Sequence, residues 1–462
     1  KLFLALSLLI VASMVLAACA PSAAPEEPAA PAEPAAPEEP AAPEEPAEPA
    51  APEEPAEEPA MGPEMKNPDT LIFATIGEPE TIDPAWTYET AGSAIENNVY
   101  ENLVWFNREK TDEFVGVLAT DWSVNDVGDV WTFNIREGVT FHEGGTLEPH
   151  DVAYSVQRAL LQDRIDGPHW MTLEAFFGLY TVEDLAIGDS GKEFSELSQD
   201  ELVAACEAVK AAVVADDEAG TVTYTLAAPT PWFLAMMVNS FLGAVLDQEW
   251  MVEQGAWDGS CDNWVQWHDP AAEDTVIFNV ANGTGPYKLD HWTPGEEIVL
   301  VANENYWRAE GDPIWEGGPS GVASVKNIVI KSVDEWGTRQ AMFEAGDADY
   351  IYVPSQYRPQ LEEEYGVICD AAGNCEEAGD GFIQAWVDLP SLAMTPAQFN
   401  HQINVEGGNP FAGSGELDGN GIPADFFQDI HIRRAFNYCF DFDAMINDAL
   451  NGEGIQAQGP II

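Results

Sequence analysis

The spacing of apolar residues along the chain predicts both strands and helices. Short runs of alternating apolar residues, bounded by Gly, Pro and Asp, indicate strands at Leu71–Thr75 and Val130–Arg136. Apolar positions at helical spacing predict one helix over Thr90–Trp105 and another that begins near Leu147, with acidic residues in its first turn. Strand and helix signals therefore succeed each other closely from residue 71 onward.

The N-terminal apolar run, Leu2 to Ala18, ends in small residues that precede Cys19. The run has the length of a signal-peptide core and is shorter than the roughly 20 residues that a membrane-spanning helix needs. Small residues before a cysteine match the bacterial lipobox, in which the cysteine becomes a diacylated N-terminus after cleavage. We therefore predict a lipoprotein signal peptide over residues 1–19 with lipidation of Cys19. A transmembrane anchor with an incidental cysteine is the alternative.

Residues 20–65 are almost wholly Pro, Ala and Glu, and parts of the segment repeat every six residues. Apart from Met61 and Met65, the segment has no large apolar side chain to bury. Its prolines block a helix interior, and its like charges repel each other. We expect a disordered, extended linker that could hold a folded domain on the order of 100 Å from a membrane.

The charge balance excludes some classes of partner. The chain has 81 acidic and 17 basic residues, for a formal net charge of −64. Such a surface repels nucleic acid and anionic lipid headgroups, so no nucleic-acid function is expected. The acidity could concentrate cationic ligands or could be an adaptation that favours solubility.

The cysteines suggest disulfides rather than a metal site. Cys369 and Cys375 flank a turn-forming segment and could close a small disulfide loop in an oxidising compartment, while Cys206 and Cys261 are a possible second pair. Cys439 lies on an apolar helical stripe, which predicts a buried thiol. No paired C-x-x-C spacing of a zinc site occurs.

Several ordered blocks of the chain resemble one family. They read GEPETIDP at 77–84, LATDWSVNDVGDVWTFNIREGVTFHEGGTLEPHDVAYSVQR at 118–158, GTGPYKL at 283–289, NENYWR at 303–308, DEWGTRQAMFEAGDADY at 334–350 and HIRRAFNYCFDFDAMINDAL at 431–450. As a set, in this order, they are similar to the bacterial extracellular solute-binding proteins of family 5, which serve ABC importers of peptides, nickel and related solutes.

The resemblance implies an α/β protein with the two-lobed periplasmic-binding-protein-like fold, type II, of the large peptide-binding subclass. It implies lobe I at 66–290, with an inserted subdomain that includes the acidic and poorly patterned segment 188–220. Lobe II would occupy 291–462 and is expected to be incomplete, because family members usually continue beyond the last matched block. The family's aspartate that can meet a peptide α-amine lies beyond that block, so no residue is carried over for this role.

The function that the resemblance implies is capture of a solute between the lobes for a membrane permease. Oligopeptides or dipeptides are the first choice, and nickel or another metal chelate, haem or another small solute is the alternative. The implied partners are the solute, the ABC permease complex and the membrane, through the lipid at Cys19. We expect a monomer, located outside the cytoplasm, periplasmic or at the cell surface.

Loops after predicted strands and aromatic pairs offer residues that could face the ligand. They are Glu78, Thr81, Tyr88, Trp264, Trp267, Tyr352 and Tyr357. The alternatives are a solvated surface acid for Glu78 and core packing for the two tryptophans. Gly283, Gly285 and Pro286 are predicted to be structural, because glycine permits close backbone approach and proline fixes a turn. His142 is predicted to be a packing or capping residue.

The chain offers little support for catalysis. Gly188-Asp189-Ser190-Gly191 echoes a serine-protease segment, but no G-x-S-x-G motif occurs, and His142-Glu143 is not followed by a second histidine at metalloprotease spacing. We therefore expect no enzyme activity, no cofactor and no metal site.

Overall fold

A computed structural model describes residues 66–457, except 109, 165, 371, 388, 390–395, 406–408, 410 and 413–419. These residues belong to one compact unit, Met65–Ile462. The predicted signal peptide, Cys19 and the linker at 20–65 lie outside the described residues. Among the described residues, no helix combines the length and the apolar character needed to cross a membrane.

The described residues form fourteen strands and eleven α-helices in mixed order. The strands are β1 (Thr70–Thr75), β2 (Val104–Asn107), β3 (Lys110–Gly116), β4 (Ala119–Val124), β5 (Val130–Ile135), β6 (Val213–Asp216), β7 (Thr221–Thr225), β8 (Tyr287–Thr293), β9 (Glu297–Ala302), β10 (Asn327–Ser332), β11 (Tyr350–Ile351), β12 (Tyr365–Cys369), β13 (Cys375–Glu377) and β14 (Ile383–Trp386). This mixture confirms the predicted α/β class.

The helices lie between and after these strands. They are α1 (Thr90–Val99), α2 (Pro149–Gln162), α3 (Trp170–Phe177), α4 (Val182–Ile187), α5 (Gln199–Ala212), α6 (Phe233–Met237), α7 (Ser240–Gly243), α8 (Gln248–Glu253), α9 (Trp336–Glu344), α10 (Ile430–Cys439) and α11 (Phe442–Ala444). Short 3₁₀ helices occupy Phe194–Glu196, Trp264–Trp267, Ala272–Asp274, Ser355–Gln360, Glu362–Glu364 and Phe426–Gln428, and a π-helical turn occupies Met445–Ala449.

The largest sheet has the strand order β11-β1-β10-β9-β8. The first strand of the chain, β1, lies between β10 and β11 and is parallel to both, whereas β9 is antiparallel to β10 and β8. Strands from both sides of residue 290 therefore share one sheet. The predicted boundary between the lobes at residue 290 stays a prediction.

Two hydrophobic cores accompany this sheet. The larger core includes Ile298 and Leu300 of β9 together with residues of the four-stranded sheet β4-β5-β7-β6. The smaller core includes Ala74 of β1, Trp336 of α9 and Ile351 of β11. Because β1 and β11 pack on one core and β9 on the other, the main sheet joins two separately packed regions.

Two of the quoted sequence blocks meet around one buried carboxylate. Glu101 accepts hydrogen bonds from Thr284 Oγ1 at 2.8 Å, Tyr306 OH at 2.7 Å and Trp307 Nε1 at 2.6 Å. Burial raises the pKa of Glu101, and these donors partly offset the rise. The contacts tie the GTGPY and NENYWR blocks to the loop that comes after α1.

The glycines of the GTGPY block lie against the end of α1, which fits the structural role predicted for Gly283 and Gly285. A Cβ on Gly283 would come within 2.0 Å of the Val99 carbonyl oxygen, and one on Gly285 within 2.5 Å of the Asn98 carbonyl oxygen. His142 packs on the same segment, accepting from the Gly283 N–H through Nδ1 and donating from Nε2 to the Gly285 carbonyl. Burial lowers the pKa of His142 to about 4, which suits the predicted packing role.

The segment 188–220 has more structure than its sequence indicated. Ser198 and Glu201 form a capping box that begins α5, and α5 buries Cys206 and Val209. The chain then continues directly into β6, which pairs with β7. Ser198 followed three residues later by Glu201 is a capping signal that the sequence of this segment already contains.

The cysteines form two bonds in the structure. Cys206 is joined to Cys261, and Cys369 is joined to Cys375. The prediction of a buried thiol at Cys439 is wrong, because Cys439 is exposed at the end of α10. The apolar stripe of α10 misled the prediction, because the described residues cover it only in part. Phe436 contacts the rings of Phe399 and Phe427 and is still half exposed, and Tyr438 is exposed as well.

Candidate ligand-binding site

The carboxyl ends of three parallel strands lie side by side at one edge of the main sheet. The chain leaves β1 at Ile76, β10 at Val333 and β11 at Tyr352. Ligands of open α/β sheets bind outside the carboxyl ends of parallel strands, where the next loops diverge. We call these three loop starts, residues 76–78, 333–335 and 352, the carboxyl edge.

Hydrogen bonds hold the carboxyl edge together. The Gly77 N–H donates to Asp334 Oδ1 at 3.1 Å, and the Val333 N–H donates to the Thr75 carbonyl at 2.8 Å. The Tyr352 N–H donates to the Ala74 carbonyl at 3.3 Å. The loops that come after β10 and β11 are therefore both fastened to the end of β1.

The carboxyl edge presents apolar, aromatic and acidic groups to solvent. Ile76 is 44% exposed and Tyr352 is 46% exposed. The Asp334 carboxylate is exposed as well, and its Oδ2 accepts no hydrogen bond from the described residues. This combination can contact an apolar side chain and accept a hydrogen bond from an N–H or ammonium group.

Glu335, next to Asp334, has a structural task. Its carboxylate accepts hydrogen bonds from the Thr338 hydroxyl and from the N–H groups of Thr338 and Gly337, and it thereby caps the start of α9. These bonds lower the pKa of Glu335, with the Thr338 hydroxyl contributing most. The cap fixes where α9 begins behind the edge.

Arg339, which the sequence analysis did not single out, supports the edge from behind. The side chain is buried, and its Nη1 donates to the carbonyls of Val333 at 2.6 Å and Asp334 at 3.1 Å. Its Nε donates to the Tyr352 carbonyl at 3.3 Å. A signal was present, because Arg339 lies between Trp336 and Phe343 at helical spacing, on the face of α9 that packs inward.

Of the predicted residues, Glu78 and Tyr352 both lie on the carboxyl edge. The Glu78 carboxylate accepts from Trp292 Nε1 at 2.9 Å and from the Gly295 N–H at 2.8 Å, so it binds the hairpin between β8 and β9. Tyr352 presents its ring outward. The structure thus gives Glu78 internal partners and leaves Tyr352 open to solvent.

Thr81 and Tyr88 lie further along the loop after β1. Thr81 is fully buried and its Oγ1 donates to the Phe278 carbonyl at 3.0 Å. Tyr88 is half exposed, with its ring edge-on to Phe241 at 5.7 Å between centroids. No contact described in the structure joins either side chain to the carboxyl edge, and their ligand roles stay predictions.

Trp264 and Trp267 belong to the larger core. Trp264 is 1% exposed, donates from Nε1 to the Leu202 carbonyl at 2.9 Å and packs edge-on against Phe194. Trp267 is half-buried against the same core. The structure does not bring this pair to the carboxyl edge, and its arrangement matches the core-packing alternative.

Tyr357 lies behind the edge. Its ring stacks on Trp336 of α9, with the ring centroids 4.9 Å apart, and it is half-buried. Trp336 and Arg339 of α9 link it to the Tyr352 carbonyl, because Tyr357 stacks on Trp336 and Arg339 donates to that carbonyl. A direct contact between Tyr357 and a ligand stays a prediction.

One cluster elsewhere combines ligand types that metals use. His150 lies 3.1 Å from carboxylate oxygens of both Asp217 and Glu249, and Glu148 and Asp151 are close to it. The carboxylates of Glu148, Asp217 and Glu249 are exposed. The Asp151 carboxylate accepts hydrogen bonds from the backbone N–H groups of Glu148 and Gln248. Hydrogen bonds account for this arrangement, and we assign no metal to it.

Comparison with known proteins identifies the family. The model of the bacterial extracellular solute-binding proteins, family 5 (middle region), matches residues 113–462. A probable D,D-dipeptide-binding periplasmic protein of Escherichia coli is 25% identical over 402 residues, which are 85% of this chain and 57% of that protein. Heme-binding protein A of Haemophilus influenzae is 24% identical over 400 residues, again 85% of this chain and 57% of that protein.

The solved structures are less similar to this chain in sequence than the two relatives above. A periplasmic binding protein of Helicobacter pylori in complex with a peptide is 22% identical, with a TM-score of 0.43, over 64% of this chain and 49% of its own. A protein of Campylobacter jejuni in complex with Ni(L-His) is 16% identical, with a TM-score of 0.49, over 85% of this chain and 57% of its own.

The relatives and the family model differ in how much of each protein they match. The chain spans 57% of the length of the first two relatives named above. The family model, in contrast, covers most of the chain, and its description places family members outside the cytoplasm. The predicted membership of this family and the predicted location outside the cytoplasm are thereby confirmed. The chain belongs to the bacterial extracellular solute-binding proteins of family 5.

Proposed function

We propose that the full-length protein is the solute-binding component of an ABC importer and that it captures dipeptides or oligopeptides. The observation that carries the proposal is the carboxyl edge, where Ile76, Asp334 and Tyr352 lie exposed on three fastened loops, in a chain of a solute-binding family. A protein that binds a solute without transforming it needs a binding surface of fixed geometry, and it needs no nucleophile.

The chemistry of the carboxyl edge suits a peptide. The free oxygen of Asp334 accepts a hydrogen bond from a ligand N–H or ammonium group, and the Tyr352 ring and Ile76 offer apolar surface to a side chain. A site that binds the backbone of a peptide and contacts its side chains only loosely can bind peptides of many different sequences.

Delivery is inferred from the family and from the N-terminal sequence. A ligand enclosed between two lobes is removed from water on both sides, and closure creates a shape that a permease can recognise. The lipid at Cys19 and the linker at 20–65 keep the protein near the permease and raise its effective concentration there. The protein acts as a monomer in this proposal and carries out no reaction on its ligand.

The names of the relatives support peptides without excluding the alternative. A D,D-dipeptide-binding protein and the oligopeptide-binding protein of Salmonella typhimurium, which is 28% identical over 252 residues, are among them, and so is a haem-binding protein. A nickel chelate or haem is therefore the competing outcome of the binding test.

The test is calorimetric titration of the full-length protein with an equimolar mixture of di- and tripeptides. We expect saturable binding, and the variants Asp334→Asn and Tyr352→Ala weaken it about five- to tenfold, through loss of a charge-assisted acceptor and of apolar contact. Asp189→Asn and Tyr180→Ala, an acid and an exposed tyrosine outside the carboxyl edge, are the matched controls and leave affinity unchanged. Binding of haem or a nickel chelate with no peptide binding would contradict the proposal.

A further inference from the structure

Arg339 is a buried charge that makes no close ion pair with the described residues, although the exposed Glu335 carboxylate interacts with it electrostatically. It is 1% exposed, and none of the described aspartate or glutamate oxygens lies within ion-pair distance of its guanidinium. Buried charges are normally paired, because removal of a charge from water is costly. Here the guanidinium donates to three backbone carbonyls instead.

The three carbonyls come from two loops that the sheet keeps apart. Val333 and Asp334 come after β10, and Tyr352 comes after β11, while β1 lies between those two strands. Arg339 therefore reaches both flanks of β1 at once. A side chain with a rigid fork of donors can hold both loops in one geometry, because its nitrogens point in fixed directions.

The guanidinium is itself held in place. It lies 5.7 Å from the centre of the Trp336 ring, which stacks on Tyr357 and donates from Nε1 to Gln360 Oε1 at 3.2 Å. Two layers of contacts thus stand behind the exposed groups of the carboxyl edge. Such support is what keeps a binding surface in its productive geometry before the ligand arrives.

We propose that Arg339 is the positioning residue of the carboxyl edge, which fixes Asp334 and Tyr352 relative to each other for ligand binding. The inference rests on the proposed function, because it assigns a purpose to the alignment of these two residues. Arg339 does not touch the ligand and acts through the carbonyls that it holds.

The experiment compares Arg339→Lys and Arg339→Met with the wild-type full-length protein. Affinity for the di- and tripeptide mixture is measured by calorimetry, and amide hydrogen exchange is measured at Gly77, Val333 and Tyr352. Lysine keeps the charge but cannot reach both loops, so we expect affinity to fall about tenfold in the lysine variant. Exchange at the Val333 and Tyr352 amides becomes faster in the same variant.

Arg158→Lys is the matched control. Arg158 is a buried arginine that pairs with Asp83 and has no described contact with the carboxyl edge. This variant lowers the melting temperature and leaves peptide affinity and exchange at the three amides unchanged. If the Arg339 variants only lose stability, they too will have a lower melting temperature with unchanged peptide affinity and unchanged exchange at the three amides.

The outcomes separate the two proposals. Wild-type affinity and wild-type exchange in folded Arg339→Lys would overturn the positioning role. Absence of peptide binding by the wild type would overturn the proposed function, while the exchange measurement would still test whether Arg339 holds the loops. If Arg339→Met does not fold, the lysine variant and its exchange pattern decide the question.

Discussion

At the scale of single residues, buried ionisable groups respond to pH in ways that can be measured. Glu96 on α1 is fully buried, and burial raises its pKa to about 8, with the nearby carboxylates of Asp83 and Glu89 adding to the rise. In the unfolded chain the pKa of a glutamate is about 4.3. Between about pH 4.3 and about pH 8, Glu96 therefore keeps a proton in the native state and has lost it in the unfolded state.

This difference gives a prediction for Glu96→Gln. Stability from Glu96 is fully present below about pH 4 and declines as pH rises toward about 8, because the native state binds the extra proton. Glutamine is neutral at every pH, so the variant should gain stability over the wild type at neutral and higher pH and show little difference in mild acid. Urea unfolding at several pH values measures this. An equal or lower unfolding free energy of the variant at neutral pH would show that Glu96 is not a buried protonated acid.

Residue roles were partly predictable from sequence. The packing role of His142 fits its structure, since a histidine among apolar neighbours and glycines has backbone groups to bond with. Cys439 was mispredicted because an apolar stripe does not reveal whether another element covers it. Arg339 was missed because its partners are carbonyls of residues that lie together only in the folded sheet.

At the scale of elements, two disulfides close loops of very different length. Cys206–Cys261 spans 55 residues and ties α5 to the segment after α8, whereas Cys369–Cys375 spans 6 residues within the turn between β12 and β13. The loss of chain entropy in the unfolded state grows with the length of the closed loop.

We predict a larger effect for the longer loop. Replacement of both Cys206 and Cys261 by alanine should lower the unfolding free energy by about 4 kcal/mol, against about 2 kcal/mol for the Cys369 and Cys375 pair. Chemical denaturation of the two double variants in parallel measures this. The opposite ranking would show that loop entropy does not govern the contribution of either bond.

The GTGPY glycines give a second prediction at this scale. Gly283→Ala and Gly285→Ala should each lower the unfolding free energy by roughly 1–3 kcal/mol, because the new Cβ would press on backbone carbonyls at the end of α1. Gly337→Ala, on the first turn of α9 beside the flexible Glu335 side chain, is the control and should be neutral. If all three variants unfold alike in a thermal melt, close backbone approach is not what these glycines provide.

Element prediction was most accurate where local pattern and tertiary pairing agree. The strand expected at Val130–Arg136 occurs at Val130–Ile135, with its alternate residues in the core. The helix expected over Thr90–Trp105 ends at Val99, because Val104–Asn107 pairs with β3 as a strand. The apolar spacing continued past the helix, and only long-range pairing decided where the helix ends.

At the scale of the whole molecule, the net charge of −64 sets a background of self-repulsion. Few of the 81 acids have a basic partner, since the chain has only 17 lysines and arginines. Salt shortens the range of this repulsion from about 30 Å at 0.01 M to about 3 Å at 1 M.

We therefore predict that the melting temperature rises with sodium chloride concentration over this interval. Differential scanning calorimetry of the wild type at neutral pH measures the effect, and a series at mildly acidic pH, where fewer carboxylates are charged, should show a smaller rise. A melting temperature that is constant or falls with salt would show that the acidic surface does not destabilise the folded chain.

The sheet also explains why the location of the site was harder to predict than the family. Ordered blocks of sequence were sufficient for the family, whereas the carboxyl edge forms from β1, β10 and β11, and β1 lies hundreds of residues before the other two. Glu78 and Tyr352 could be chosen as residues after strands, but their proximity depends on the parallel pairing. Asp334 became a candidate only through its bond to Gly77.

Native mass spectrometry of the full-length, unlipidated protein, purified without denaturation, tests the central claim most directly. We expect a set of bound masses that fit short peptides, and loss of most of this set in the double variant Asp334→Asn with Tyr352→Ala. A single bound mass that fits haem or a metal chelate, with no peptide in the wild type, would contradict it.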